Sequence, residues 1–448
     1  MAFAVVRATF EDGAHTERAF REGADAAGLA GRERAQAQRL AYGAVQRRGS
    51  SDAAIEELAG RSTRLLDPPV LAALRLGLYE LLFSDATPDH AAVDQEVELV
   101  KDAGAAHASG FVNAVLRRAA RERARLVAAM DDEGTPAGAA AAHSVPEWLA
   151  RMWWEELGAG SARSLLAACN EPAEVALRAS PTPGREGLLA ALREAGVEAA
   201  PSTGPWPLAA PECVVLGGRA GPLLAELVAA GSATPQSRGS AAVVEVLNPR
   251  EGEHVLDACA GPGIKTGQIA ARMGARGDIV SVELDPRRAA EVAAQASRLG
   301  LRNVTVVEAD VTSLAGLEPR FDRVLLDAPC SDLGALASRP DARWRKSPKT
   351  IGRLAEIQAA ALRECARLVR PGGTLVYSTC TISRRENEDQ IEALLAAGGP
   401  QGVPPLLVDD LGALAPGLAS DRDGRCLQLR PDRDRTTGFF IARLKRND

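Results

Sequence analysis

From Val255 onward the chain repeats one pattern five times: a short apolar run of strand length, a chemically useful residue near its end, then a loop or a helical stretch. The runs are Val255-Leu256, Asp278-Ile279-Val280-Ser281-Val282, Val304-Thr305-Val306-Val307, Val324-Leu325-Leu326 and Gly373-Thr374-Leu375-Val376-Tyr377, the last after a Pro371-Gly372 turn. Strand, helix, strand alternation at this spacing predicts a doubly wound, mostly parallel sheet. Such a sheet delivers its strand ends to one edge, where open α/β folds bind their ligands. Asp257, Glu283, Asp310, Asp327 and Cys380 are therefore expected along one edge. Pro329 rules out continuation of the fourth strand and presents Cys330 on a loop. Taken alone that thiol reads as packing as readily as chemistry, because free cysteine is among the most buried residue types.

The remainder of the chain narrows the class. Its 448 residues exceed one ordinary core and imply two or three domains, and 46% hydrophobic with 25% charged residues is a globular balance. No apolar run approaches the roughly 20 residues of a membrane span. Glu11-Asp12 stand where a signal peptide would be apolar, so a soluble, cytoplasmic protein with no membrane partner is expected. Seven cysteines are scattered singly with no C-x-x-C pair, which argues against a zinc site and against a disulfide framework. No metal is expected, and the chain is read as a monomer. The net charge of −6 does not advertise a nucleic-acid partner, but a local basic strip can still bind phosphates.

Residues 1–130 read as an all-α domain. Asp67-Pro68-Pro69 gives a carboxylate cap and prolines at a helix start, and Leu71, Leu74, Leu78, Leu81 and Leu82 then form one buried face. The helix from Gly110 ends in Arg117, Arg118, Arg121, Arg123 and Arg125, a solvated face or an RNA contact. Asp131 to Gly138, with the alanine run behind it, reads as a linker. Residues 144–240 read as a small α+β domain. It carries Trp148, Trp153 and Trp154 on a helix, read as a core anchor, followed by a strand over residues 174–180. Residues 241–448 form the Rossmann-like α/β domain.

The strand-end residues suggest chemistry. Gly261-Pro262-Gly263 opens a helix and suits close approach of a nucleotide-like ligand, and Glu283 at the next strand end can accept both hydroxyls of a ribose. NAD and S-adenosylmethionine fit equally at this point. Two thiols on neighbouring strand ends separate them, because hydride transfer needs none, whereas methylation of a pyrimidine carbon does. C5 of cytosine is a poor nucleophile until a thiolate adds to C6, and a second group must then take the C5 proton so that the thiol can leave. Such a site calls for a nucleophilic cysteine, a carboxyl group on the N3/N4 edge, a second acid/base and an unstacked base. Cys380, Asp327 and Cys330 are the residue types required.

Asp257-Ala258-Cys259-Ala260-Gly261-Pro262-Gly263-Ile264-Lys265-Thr266, Leu326-Asp327-Ala328-Pro329-Cys330-Ser331 and Tyr377-Ser378-Thr379-Cys380 together resemble the signature of RNA 5-methylcytosine methyltransferases. The leading helices, with Ala91-Ala92-Val93-Asp94 and Gly110 to Arg118, resemble a NusB-like RNA-binding domain, a combination similar to the Sun/Fmu (RsmB) branch. The resemblance covers nearly the whole chain, to the closing Thr437-Gly438-Phe439-Phe440-Ile441-Ala442. It implies a class I methyltransferase acting with S-adenosylmethionine on a cytosine of 16S ribosomal RNA or its small-subunit precursor. Carried across, the cofactor segment falls on Cys259, Ala260, Gly261, Pro262, Gly263, Ile264 and Lys265, the ribose acid on Glu283, the adenine-side acid on Asp310 and the catalytic acid on Asp327. The Thr-Cys cysteine, Cys380, attacks C6, and the Pro-Cys cysteine, Cys330, assists release.

Three departures stand out. Ile264 occupies a position where the family usually has glycine, Glu replaces Asp at 283, and after Leu333-Gly334 only Arg339 remains of the usual arginines. RNA contact is then expected from Arg339, Arg343, Arg345, Lys346, Lys349 and Arg353, with Trp344 interleaved. The alternatives are a tRNA cytosine-C5 methyltransferase, a non-catalytic RNA-binding or ribosome-assembly factor on the same scaffold, and, more distantly, a dehydrogenase.

Overall fold

The structure, a computed structural model, describes residues 1–130, 134–218, 221–274, 276–318, 320–398 and 406–447. The chain forms two compact units, Met1–Pro172 with Leu336–Lys346, and Ala173–Ala335 with Ser347–Asp448.

The first unit is helical. Its centre is the helix Pro68–Phe83, which packs against Ala2–Glu11, Gly31–Gln46, Arg48–Ala59, Asp89–Asp102 and Ser109–Arg121. Being surrounded, it buries more than the single leucine face its spacing predicts: Ala72, Ala73 and Leu76 are buried along with Leu74, Leu78 and Leu81, while Leu71 is half-buried. Asp67 does precede this helix, but its carboxylate makes no capping hydrogen bond. Pro68 and Pro69 have no N–H for it to bond. The expected linker differs too. Asp131, Asp132 and Glu133 lie outside the described residues, but Pro136–His143 is a helix, its first turn capped by Thr135 Oγ1 accepting from Gly138 N at 3.0 Å. Alanine is the strongest helix former, and Thr-Pro is a start signal.

This helix and the next two, Glu147–Leu157 and Ala159–Ala168, belong to the helical unit. Ser144 Oγ accepts from Gly49 N at 2.8 Å, Ser50 Oγ donates to the Ala141 carbonyl at 2.9 Å, and Trp153 is fully buried as the expected anchor. Residues 144–240 are therefore divided between the two units.

The second unit holds two sheets. A small antiparallel one runs β2-β3-β1-β4, with β1 Ala176–Ala179, β2 Ala199–Pro201, β3 Cys213–Leu216 and β4 Ala233–Pro235. Arg178 ties it to the helix Ile264–Met273: fully buried, it donates to Gln236 Oε1 at 2.8 Å and to the Gly267 carbonyl at 3.3 Å. Burial pushes its guanidinium down to about 10.

The large sheet contains β5 His254–Asp257, β6 Asp278–Glu283, β7 Val304–Glu308, β8 Phe321–Asp327, β9 Val369–Thr379, β10 Leu406–Val408, β11 Leu427–Leu429 and β12 Phe439–Arg446. Its order is β10-β12-β9-β8-β5-β6-β7, with β11 on the flank of β12. Strands β9, β8, β5, β6 and β7 are mutually parallel, and β12 is antiparallel to β9. Alternate residues feed two cores, Leu256, Val280, Val324, Leu326 and Leu375 on one face and Val255, Ile279, Leu325 and Val376 on the other. That is why the strands read as unbroken apolar runs. The chain goes outward from β5 through β6 to β7, then returns to β8 on the other side of β5, so the switch point lies between the ends of β5 and β8. Pro371-Gly372 does not precede β9 but lies inside it, where the register against β8 jumps from Phe321↔Val369 to Arg323↔Thr374. Proline has no N–H for the ladder, and the bulge removes the need for one.

Candidate active site

β5 and the helix Ile264–Met273 are joined by the loop 258–263. Gly263 sits at φ 95°, and a Cβ there would meet Val292 Cα at 3.1 Å. A Cβ on Gly261 would fall 2.3 Å from Glu283 Oε2, which accepts from Gly261 N at 3.0 Å. Gly263 is thus required by its left-handed backbone, and at Gly261 a side chain would displace the Glu283 carboxylate. Glu283, buried, also accepts from Asp285 N at 3.1 Å, while Arg288 lies 3.7 Å from its carboxylate and donates to the Gly261 carbonyl. Ala260 is pinned to Val282 by a 2.9 Å backbone bond, Pro262 is exposed, and Ile264 opens the helix half-buried. Cys259 packs partly buried against the core, and burial holds its thiol well above the usual range. Asp310 follows β7, exposed, its Oδ1 accepting from Thr312 N and Oγ1, both at 2.8 Å.

Beneath the loop lies Asp257, 1% exposed. Its Oδ2 accepts from Thr266 Oγ1 at 2.7 Å, while its Oδ1 has no hydrogen-bond partner among the described residues. Burial, opposed by the Thr266 bond, pushes this carboxyl up to about 6. A glycine cradle at a helix start, an acid at the end of β6 and an incompletely satisfied acid beneath fit the adenosine and methionine parts of S-adenosylmethionine.

The other half of the site stands on β8 and β9. Asp327 ends β8, its Oδ2 2.5 Å from Lys265 Nζ and its Oδ1 accepting from Ser378 Oγ at 2.8 Å. Lys265 Nζ also lies 5.1 Å from the Phe439 ring centroid. Cys330 and Cys380 come together, Sγ to Sγ 3.3 Å, and the Cys380 thiol donates to Asp332 Oδ1 at 3.1 Å. Asp332 adopts φ 61°, a left-handed conformation that aspartate tolerates better than most residues. Gly334 crosses the same spot: its N–H donates to the Cys380 carbonyl at 2.9 Å, and its own carbonyl accepts from Gly438 N at 2.8 Å.

Behind the thiols is a buried polar network that local sequence patterns did not single out. Ser331, Thr381, Gln358, Glu386 and Asn387 are all at most 1% exposed. Ser331 lies within the quoted Leu326 to Ser331 motif, and for Glu386 and Asn387 the sequence offers just the polar run Arg384-Arg385-Glu386-Asn387-Glu388 shortly after Cys380.

The residues of the expected RNA strip differ in exposure and are divided between the two units. Arg339 and Lys349 are exposed and Lys346 is half-buried. Arg343 belongs to the helical unit, fully buried, and donates to the carbonyls of Ser144 (3.1 Å), Cys169 (3.0 Å) and Leu336 (3.3 Å) and to Asn170 Oδ1 (3.0 Å). It closes helix C-termini, where a cation is favoured, and burial pushes it down to about 10. Trp344 Nε1 donates to the Val45 carbonyl at 2.7 Å, and Arg345 pairs with Asp341 at 2.9 Å. Arg343 is therefore a strut of the helical unit and presents nothing to a nucleic acid. Within residues 109–128, Arg117, Arg118, Arg123 and Arg125 are ion-paired with carboxylates, as a solvated face would be.

The doubly wound sheet with its glycine-cradled helix start is a Rossmann-like fold behind a helical region, and the matches to known proteins make it a methyltransferase using S-adenosylmethionine, preceded by a NusB-type region. Residues 244–445 match the 16S rRNA methyltransferase RsmB/F family and residues 1–121 the NusB family. The chain is 35% identical over 419 residues to "Probable ribosomal RNA small subunit methyltransferase B" of Synechocystis, spanning 91% of this chain and 90% of that one. It is 30% identical to ribosomal RNA small subunit methyltransferase B of Salmonella typhi, spanning 93% and 91%. The crystal structure of PH0851 has the same fold, with a TM-score of 0.83 at 24% identity over 99% of this chain and 97% of that one. The chain belongs to the RsmB/F methyltransferase family.

Proposed function

We propose that this protein forms 5-methylcytosine in the 16S RNA of the small ribosomal subunit, through a covalent bond between Cys380 Sγ and C6 of the base. The observation that carries the reading is the pair of thiols 3.3 Å apart beside the Asp327–Lys265 pair. Methylation of a base nitrogen or a ribose hydroxyl has no use for two thiols, whereas C5 methylation uses one to make a bond and one to help break it. The names of the relatives support small-subunit RNA as the substrate, and the NusB-type region supports an RNA partner.

In this scheme Asp332 accepts the Cys380 proton as Sγ adds to C6. Asp327, oriented by Lys265 and Ser378, hydrogen-bonds the N3/N4 edge and steadies the ring as electron density moves to C5. S-Adenosylmethionine, when bound along Cys259 to Lys265 with Glu283 at the ribose and Asp310 on the adenine side, supplies the methyl group as an electrophilic sulfonium. Cys330 then assists removal of the C5 proton, so that the C6–S bond breaks and Cys380 is restored. RNA contact is assigned to Arg339, Lys346 and Lys349.

The test is a pair of substitutions assayed with small-subunit RNA and S-adenosylmethionine. Cys380→Ala is expected to abolish turnover, and Cys330→Ala to leave a protein–RNA adduct that survives denaturing electrophoresis. Absence of that adduct would sink the division of labour between the thiols. Lack of S-adenosylmethionine binding by calorimetry would instead favour a non-catalytic RNA-binding factor.

A further inference from the structure

Glu386 and Asn387 are consecutive, buried, and have no part in the chemistry of the two thiols, Asp327 and Asp332. Each makes its hydrogen bonds mainly around a different thiol, and the two sets meet where Ser331 Oγ and Thr381 Oγ1 lie 2.7 Å apart. Glu386 Oε1 accepts from Ser331 N, the peptide N–H directly after Cys330, at 2.9 Å, and its Oε2 accepts from Ser331 Oγ. Gln358 Nε2 donates both to Glu386 Oε1 at 3.1 Å and to the Pro329 carbonyl, directly before Cys330, at 2.8 Å. The Cys330 loop is thereby held on both sides. Asn387 brackets Cys380 in the same way: its Oδ1 accepts from Thr379 Oγ1 at 2.6 Å, and its Nδ2 donates to the Thr381 carbonyl at 3.2 Å. The turn that carries both is anchored in turn on β9, where Tyr377 Oη donates to the Glu386 carbonyl at 2.6 Å.

We propose that Glu386 and Asn387 are a pair of positioning residues, one for each thiol, that together set the separation of Cys330 and Cys380. Buried side chains that make several hydrogen bonds to fixed partners are held stiffly, and a misplacement of about 1 Å in a reacting group costs on the order of 100-fold in rate. The proposal rests on the division of labour between the thiols in the proposed function. Glu386 holds the thiol that releases the product, and Asn387 holds the thiol that bonds to C6. Loss of the Glu386 side chain therefore raises the level of the covalent adduct and loss of the Asn387 side chain abolishes it, while turnover falls in both, a split that a general packing defect cannot produce.

Two readouts on the full-length protein test this. The first needs no RNA: iodoacetamide labelling resolved by peptide mass spectrometry. Glu386→Ala is expected to change the labelling rate of Cys330 by about tenfold and leave Cys380 near its wild-type rate, and Asn387→Ala to do the converse. The second uses RNA and S-adenosylmethionine. Glu386→Ala is expected to accumulate the denaturation-resistant adduct while turnover falls about tenfold, and Asn387→Ala to form no adduct and lose about 100-fold in turnover. Glu386→Gln keeps an acceptor for Ser331 N and is expected to restore turnover to near wild type. Should Glu386→Ala not fold, Ser331→Ala removes one arm of the same hold and carries the same signature in milder form. Equal effects of both variants on both thiols, or a parallel fall of adduct and turnover in both, would overturn the proposal. Cys380→Ala and Cys330→Ala controls separate the two levels: if they contradict the covalent chemistry, the labelling pattern still decides whether the clamp exists.

Discussion

Asp257 shows how one residue loads a site. A carboxylate with one oxygen bonded and the other buried without a partner holds its proton more tightly than in water, and here the carboxyl is pushed up to about 6. Because the folded value lies above the unfolded one, at about 3.9, the folded protein binds the proton better at low pH, and stability is lost as pH rises from about 4 through 6. The loss amounts to roughly 3 kcal/mol, since a tenfold difference in proton affinity between the folded and unfolded states is worth about 1.36 kcal/mol. Denaturant unfolding from pH 4 to 8 checks it: Asp257→Asn is expected to remove this slope, so that wild type loses ground to the variant as pH rises. Asp257 was legible in sequence as a strand-end acid, but its unsatisfied oxygen was not. That depends on how Thr266 and the glycine loop close over it, which involves residues brought close only by the turn of the helix.

At the scale of elements, the edge of the sheet works because loops from separate strands cross within backbone contact. Gly334 is a tight crossing beside the thiols: a Cβ there would lie 2.4 Å from the Gly438 carbonyl and 2.9 Å from that of Cys380. Since those neighbours are backbone, they can make room only by shifting the chain at Gly438 or at Cys380. Gly334→Ala is therefore expected to lower kcat by one to two orders of magnitude with unchanged S-adenosylmethionine affinity, as measured by calorimetry. A fall in cofactor affinity equal to the fall in kcat would contradict it. The parallel strands were readable from their apolar runs, because a strand covered on both faces needs nothing else. The interior bulge at Pro371-Gly372 was not, because the same dipeptide closes ordinary turns.

Across the whole molecule, the division of the chain departs from its sequence order. Leu336–Lys346 lies within the span of the methyltransferase domain yet belongs to the helical unit, with Arg343 at its centre. Arg343→Met is expected to destabilise the helical unit by about 3 kcal/mol, since charge-assisted bonds to several buried carbonyls are lost at once. Thermal unfolding measures this. If Arg343 instead served RNA, the variant would keep its stability and flatten the salt dependence of RNA binding. What the sequence determined by itself was local: the order of strands, the residues at their ends, the glycine cradle and the two thiols, all set by periodicity and turn chemistry within a few residues. What only the tertiary structure decided was the fate of polar side chains. By sequence Arg343 falls in a basic strip expected to contact RNA, and nothing singles out Glu386 or Asn387. Whether such groups face water or satisfy buried backbone depends on carbonyls and amides up to 297 residues away in the chain, which no local pattern encodes.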